Sequence, residues 1–375
     1  MFYSILLAVL LLSVAVQCVY ALGIFSRIYR LPVPERDNNT PRLPVSVIIC
    51  ARNEAANLRR NLPLVMAQRY SNEAGKALYE VIVVNDCSTD DTEEVLREME
   101  QQYDGLWHVT ISPGEPRIFP GKKFALSEGV KHAGHNLLLL TDADCAPAGP
   151  HWLDMMTEPL RRGGKIAAGY GKYARTPGVL NAFTRWETLH TFLQYSTYAL
   201  CGRPYMAVGR NLACMREAYT EASTSAAWSL LPSGDDDLLV AAAGGKDNVA
   251  IVCHPEAFTI TGSKATWREW IAQKQRHLST GKYYKKNIQA LLGLYALSHS
   301  LMWLSFAGVV AACPGWALAA VGLRMVSYLP AMYRAARRTG EASLAPAFLV
   351  FDIGWMIYNF AFAPYIALKN KTQWK

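Results

Sequence analysis

Asp142-Ala143-Asp144 closes the apolar run Leu137-Leu138-Leu139-Leu140. A buried strand delivers the two carboxylates at i and i+2, so both can lean toward one hard divalent cation. Oxygen ligands of this kind suit Mg²⁺ or Mn²⁺ bridging a diphosphate, which implies a nucleoside diphosphate as leaving group. Taken alone, the triplet reads equally as an acidic turn capping a strand. Other acids and amides also follow apolar runs: Asn53-Glu54 after Val45 to Cys50, and Asp86 after Val81 to Asn85.

Several elements must position these groups. Val45-Ser46-Val47-Ile48-Ile49-Cys50 predicts a buried strand, after which Asn53 caps a helix through Asn57-Leu58-Arg59-Arg60 toward Pro63. The plan repeats with a strand at Val81 to Asn85, a polar turn from Asp86 to Asp91 and a helix from Thr92 to Gln102. Lys123 to Ala133 reads as a third helix, followed by the strand that ends at Thr141. Strands alternating with helices predict an α/β fold with a mainly parallel sheet. Ligands sit beyond the carboxyl ends of such strands, where Asn53, Glu54, Asp86 and the Asp142 pair all fall. Further on, long helices are expected at Ala182 to Leu200 and after Asp237.

The chain has 375 residues and 51% apolar content, enough for one catalytic domain plus membrane segments. Residues 1 to 26 carry no charged side chain, and Arg27 and Arg30 follow them, the reverse of a secretory n-region. An uncleaved anchor over 1–27 is expected, with Val19-Tyr20-Ala21 as the alternative, a cleavage site. The basic flank then puts the catalytic domain in the cytoplasm. A proline-punctuated linker covers 28–43, a folded domain 44–264, an amphipathic interface helix 265–287, a membrane region 288–368 and a tail 369–375. Candidate spans are Ile288 to Cys313, Trp316 to Tyr333 and Leu344 to Leu368, with Tyr333-Arg334-Ala335-Ala336-Arg337-Arg338 as a basic cytoplasmic loop. A third full crossing would leave Lys369, Lys371 and Lys375 outside, and Pro364 and Asp352 permit a re-entrant helix instead. Asp352 and Arg324, inside apolar stretches, predict a buried polar contact. The eight cysteines show no C-x-x-C pair, which argues against zinc or a redox dithiol. The net charge of +8 is carried beside apolar segments, so anionic lipid headgroups rather than nucleic acid are the expected partner.

Ala51-Arg52-Asn53-Glu54, Val84-Asn85-Asp86-Cys87-Ser88, Asp142-Ala143-Asp144, Gly234-Asp235-Asp236-Asp237-Leu238 and Gln273-Lys274-Gln275-Arg276-His277 follow one another in the order used by glycosyltransferases of family 2. The chain resembles the membrane-embedded branch that includes ceramide glucosyltransferase and cellulose-synthase-like enzymes, over about residues 44 to 280. The resemblance implies a GT-A fold, a Rossmann-like mixed sheet with helices on both faces, joined to one N-terminal and two to three C-terminal transmembrane helices. It implies inversion at the anomeric carbon. It further implies that Asn53, Glu54 and Asp86 hold base and ribose, that Asp142 contacts sugar or ribose, and that Asp144, with Asp142, binds Mn²⁺ or Mg²⁺. Aligning Ser233 to Leu238 on the family's T-E-D-x-D-L puts the catalytic base at Asp235. Gly234 replaces an acid there, so Asp236 stays open as the alternative. His277 stands where the family has Trp, and Gly209-Arg210-Asn211-Leu212-Ala213 resembles its G-x-N-x-A stretch.

The residues carry readings of their own beside the resemblance. Asn53-Glu54 also fits a helix cap with a first-turn acid, and Asp86 can open an Asx-turn. The lysines of Pro120-Gly121-Lys122-Lys123, Lys123 in particular, can meet phosphate at a helix start or form a solvated turn. Three adjacent acids at 235–237 repel one another, which raises an apparent pKa, but they also suit a helix N-terminus. Gln273 and Arg276 share one helix face, toward diphosphate or acceptor, while Trp267, Trp270, Ile271 and Leu278 share another suited to headgroup depth. The first expectation is an integral membrane transferase moving a sugar from a nucleotide donor, UDP-linked, to a lipid or lipid-linked hydroxyl at the cytoplasmic leaflet. A processive polysaccharide synthase is the enzyme alternative, and a non-enzymatic membrane scaffold is another. A nucleotidyltransferase would call for a glycine-rich loop after the first strand, where Ala51 to Ala56 has no glycine.

Overall fold

The structure, a computed structural model, describes residues 2–33 and 40–368. Linker residues 34–39 and the tail with Lys369, Lys371 and Lys375 lie outside the described residues. A long apolar helix, α1 (Phe2–Gly23), leads to a 3-10 turn at Phe25–Arg30. The domain then winds β1 (Val45–Ala51), α2 (Ala55–Met66), β2 (Tyr79–Asp86), α3 (Thr92–Gln102), β3 (Leu106–Ile111), α4 (Lys122–His132) and β4 (Leu137–Asp142). Next come β5 (Ala146–Pro147), α5 (Trp152–Arg161), β6 (Ile166–Gly169), β7 (Gly171–Tyr173), α6 (Val179–Leu200), β8 (Leu212–Met215) and α7 (Arg216–Ser223). Short helices α8 (Ala226–Leu230) and α9 (Asp237–Ala243) precede β9 (Val249–Val252) and β10 (Thr259–Thr261). Four helices end the chain: α10 (Trp267–His277), α11 (Lys286–Val309), α12 (Pro314–Thr339) and α13 (Phe348–Leu368).

A seven-stranded sheet runs β3-β2-β1-β4-β8-β6-β9, and β5-β10-β7 forms a small second sheet. β1 pairs in parallel with both β2 and β4, and β8 is antiparallel to β4 and β6. Every residue of β1 is buried, as a strand covered by helices on both faces requires. Register decides where chemistry collects. Cys50 lies opposite both Val84 and Asp142, and Ala51 opposite Asn85, so the acid-bearing ends of β1, β2 and β4 share one rim.

Several boundaries differ from the sequence reading. β3 was not expected: Trp107 and His108 interrupt its apolar pattern because this edge strand faces solvent on one side. α2 continues through Pro63 to Met66, and Glu54 rather than Asn53 occupies its N-cap position. Asn53 instead takes a left-handed backbone, φ 56°, and its side-chain carbonyl accepts from the Thr89 N–H at 2.7 Å. That bond ties the β1 rim to the β2 rim, a tertiary contact that local capping rules do not foresee.

Among the described residues, three helical segments are long and apolar enough to cross a membrane: Phe2–Arg30, Lys286–Val309 and Ala342–Phe362. The expected span at Trp316 to Tyr333 is not among them. It lies in α12, and the residues read as a basic loop, Tyr333 to Arg338, are that helix's last turns. Arg324 lies within the expected span, and arginines at 334, 337 and 338 make the end of the helix basic. α13 is continuous from Phe348 to Leu368, so the re-entrant break is not seen.

The contact predicted between Arg324 and Asp352 is present. One carboxylate oxygen accepts from the Arg324 guanidinium at 2.8 Å. The other accepts from Trp303 Nε1 at 3.0 Å and lies 3.1 Å from His299 Nε2. This joins α11, α12 and α13 through one fully enclosed carboxylate. Removing one member of a buried pair costs about 3–5 kcal/mol, whereas replacing both with apolar residues is often neutral. Asp352→Leu is therefore expected to lower the unfolding free energy in detergent by about 3 kcal/mol. Arg324→Met with Asp352→Leu recovers most of it, and equal losses in the single and double variants would contradict the pairing.

Candidate functional site

A cavity of about 870 Å³ opens at the rim of β1 and β4 and extends toward α11 and α13. Arg52, Glu54, Asp142, Asp144, Asp235, Asp236, Gln273, Arg276 and His277 line it, bringing four of the five sequence motifs to one space. At its centre stands Lys122, the first residue of α4. Its ammonium lies 2.5 Å from Asp142 and 3.1 Å from Asp235, bridging β4 to the loop before α9.

Local sequence explains that meeting. Gly121 adopts φ +66°, and a Cβ there would lie 2.4 Å from the Pro232 carbonyl oxygen. Glycine is thus what lets the start of α4 approach the 232–236 loop. Gly234 sits at φ +85°, which accounts for the glycine where the family pattern has an acid. On the opposite wall, Asn61 Nδ2 donates to the Ala143 carbonyl at 3.0 Å, and the Cys145 N–H donates to the Asp142 carbonyl at 3.0 Å, fixing the acidic turn.

Electrostatics follow from these contacts. Burial would raise Asp142, but the Lys122 ammonium overrides it and holds the carboxyl below the usual range. Burial likewise opposes the charge on Lys122, and Asp142 and Asp235 outweigh it, keeping the lysine protonated. Asp236 is pushed up to about 6, first by burial and then by Asp235. Its carboxylate accepts from the Gly209 N–H at 2.6 Å and the Asp237 N–H at 2.8 Å. Asp237 lies deeper, accepts from Thr280 and Tyr284 at 2.8 and 2.6 Å, and is raised well above the normal value by burial and then Asp236. Enclosure by the cavity walls, with Lys274 and Arg276 nearby, shifts His277 below the ordinary imidazole value although its side chain opens to the cavity.

Ligand atoms of Asp142, Asp144 and Cys145 lie within 4.8 Å of one another. The two carboxylates fit a hard divalent cation. The Cys145 thiol does not: burial, then Asp144, keeps it well above its ordinary pKa and therefore protonated.

Other predicted residues stand elsewhere. Lys123 is fully enclosed outside the cavity, donating to the Trp228 and Leu231 carbonyls at 3.1 and 3.0 Å. The lysine at the cavity is its neighbour Lys122, a distinction set by helix phase rather than residue type. Asp86 is buried and accepts from the two terminal guanidinium nitrogens of Arg117, Nη1 and Nη2, off the cavity wall. Asn53 lies beside it at the rim, bonded to the Ser88–Thr89 segment. Sequence reading also passed over the Arg210 side chain. Its guanidinium faces the Tyr173 ring at 4.7 Å and donates to the Gly171 carbonyl at 2.6 Å, on the cavity wall near Asp142. Its position within the Gly209-to-Ala213 stretch was the available signal. Trp270, expected at headgroup depth, is instead buried against Phe183, Tyr358 and Phe362. Trp267 and Ile271 remain exposed.

Residues 46–221 match the glycosyl transferase family 2 domain. A probable glycosyltransferase of Bacillus subtilis, YdaM, is 33% identical over 116 residues, 31% of this chain and 26% of that protein. Glycosyltransferase AglE of Haloferax volcanii is 35% identical over 116 residues, 31% of this chain and 35% of its own length. The chain thus spans about a quarter to a third of these curated relatives. Among solved structures, the mannosyltransferase PcManGT of Pyrobaculum calidifontis, in complex with GDP-Man and Mn²⁺, is alike in fold. The TM-score is 0.59 at 18% identity, over 94% of this chain and 99% of that one. Through residues 46–221, just under half of its length, this chain is similar to the glycosyl transferase family 2 domain, and its fold is of the GT-A type.

Proposed function

We propose that this chain is an inverting, metal-dependent glycosyltransferase. It moves a sugar from a nucleotide sugar, UDP-linked, to a lipid or lipid-linked hydroxyl at the cytoplasmic face of the membrane. The observation that carries the reading is Lys122, whose single ammonium holds the acidic turn at 142–144 and the acid at 235 across one cavity. Such an arrangement suits a displacement in which the acceptor oxygen bonds to the anomeric carbon as the carbon–oxygen bond to the diphosphate breaks. The diphosphate leaves with the electron pair, and the acceptor proton passes to a carboxylate.

Asp144, with Asp142, would hold the divalent ion. When bound, that ion neutralises charge on the departing diphosphate. Arg276 and Arg210, on neighbouring parts of the wall, supply further positive charge for the same group. Asp235 is the better base. Asp236 is committed to two backbone N–H groups that fix the loop, while the Asp235 carboxylate faces Lys122 and the cavity.

Asp144→Ala is expected to abolish the Mn²⁺-dependent thermal protection given by UDP. Asp235→Asn keeps that protection while transfer falls about 10²- to 10⁴-fold, the usual worth of a general base. Purified protein with a nucleotide-sugar panel measures both, and normal turnover in both variants overturns the assignment. Product length, one sugar or many, separates single transfer from a polysaccharide synthase.

A pH test follows from Asp236. Its pKa rises from 3.8 to about 6, so its protonated form favours the fold. That stability is complete below the unfolded value and is lost as pH rises through about 6. The wild-type melting temperature is therefore expected to fall relative to Asp236→Asn between about pH 4 and 7. A constant difference between the two would show that Asp236 does not titrate in this window.

A further inference from the structure

Asp142 ends β4 and Asp86 ends β2, with β1 paired between them through Cys50–Asp142 and Ala51–Asn85. Two strand spacings put those ends about 10 Å apart, a gap that a ribose bridges between a diphosphate and its base. With the diphosphate at Lys122 and the acids, the nucleobase falls near Asp86.

The carboxylate there is not open to it. Asp86 is fully enclosed, and both its oxygens accept from Arg117, Oδ2 from Nη1 at 3.2 Å and Oδ1 from Nη2. The Arg117 side chain is itself 31% exposed, so the rim presents a guanidinium backed by an acid. Its plane is fixed from three directions: by Asp86, by Cys87 Sγ at 3.5 Å, and by the Phe124 ring, whose centroid lies 5.3 Å from Cζ. A guanidinium has five N–H groups. Those on Nε and one on Nη1 donate to no described residue. The segment that carries Arg117 joins β3 to α4 and ends at Gly121, whose close approach to Pro232 also places Lys122.

Fixed N–H donors distinguish a carbonyl from an amino group. Uracil carries O4, an acceptor, where cytosine carries the N4 amino group, a donor. Donor set against donor leaves both unpaired, which penalises the wrong base.

Resting on the transferase reading above, we infer that Arg117 selects the nucleobase of the donor. Its free N–H groups donate to uracil O4. Asp86 is a positioning residue, acting through the guanidinium that it orients rather than by touching the base, which the resemblance had assigned to it.

Full-length protein in detergent is titrated calorimetrically with UDP, CDP, GDP and pyrophosphate, each with Mn²⁺. Wild type is expected to bind UDP about tenfold or more tightly than CDP, the worth of a well-placed contact to one base edge. Arg117→Met brings that ratio near one by weakening UDP alone, while pyrophosphate binds as in wild type and shows the site intact. Asp86→Asn lowers the ratio by a smaller factor. Arg117→Lys keeps a charge beside Asp86 and carries the test if the methionine variant fails to fold; it lowers the ratio about threefold, because an ammonium lacks the planar fork. An unchanged ratio in the folded Arg117 variants, or tighter UDP binding in Arg117→Met, overturns the base contact, and an unchanged ratio in Asp86→Asn overturns its positioning role. Wild-type binding of pyrophosphate with equal affinities for UDP and CDP, or nucleotide binding confined to GDP, also overturns the contact and leaves the transferase reading standing. No binding of any nucleotide or sugar nucleotide overturns both.

Discussion

One ammonium between two carboxylates organises the site. Lys122 sits on the first turn of α4, Asp142 ends β4, and Asp235 precedes α9, so three separately folded elements converge on a single charge. Desolvation opposes the charge on both Lys122 and Asp142, and the attraction between them outweighs it. The arrangement is preorganised, because each partner is fixed by backbone: Asp142 by the sheet register and the Asn61 bond, Asp235 by the Gly121–Pro232 approach and the anchored Asp236. A group of this kind loses little freedom on meeting a ligand, which is where electrostatic positioning has its effect.

The parallel register places the rest. With β1 flanked by β2 and β4, the chain leaves all three strands at one edge, and loops that are distant in sequence become neighbours. Left-handed backbones at Asn53 and Cys87 mark where those loops bend hardest. Non-glycine residues adopt such angles only where surroundings over-determine them, and here the cross-loop bonds from Asn53 to Ser88 and Thr89 do so.

The parallel core was legible because β-branched and leucine runs of strand length can hardly be anything else when helical segments alternate with them. Asp142 and Asp144 stood out because they close a buried run, whereas Asp235 was marked only by the family resemblance, with Asp236 beside it; the structure brings all four to one cavity. What stayed hidden depended on three-dimensional phase. Lys122 and Lys123 are chemically identical neighbours, yet one helical step of 100° turns one into the cavity and seals the other beneath Trp228. Asp86 was read correctly as a strand-end acid, but its pairing with Arg117 joins residues 31 positions apart and leaves no local trace. Trp270 was assigned to the lipid face by amphipathic spacing, whereas α13 packs over it and makes it core.

The membrane helices and the catalytic domain are joined by polar contacts as well as by packing. The buried Glu187–Lys274 pair fastens α10 to α6, and Glu341, after α12, is held by Arg185 of the same α6 and by Lys172 of β7. α6 thus lies between the sheet and the apolar helices, touching both through charges that cannot be left unpaired without penalty. This fixes α6 against α10, β7 and the end of α12. Reacting groups carried on separate elements meet within hydrogen-bond reach only if those elements are rigidly related. Buried ion pairs are weak contributors to stability but strict about geometry. That makes them suited to this joint, where a shift of an ångström matters more than a kilocalorie.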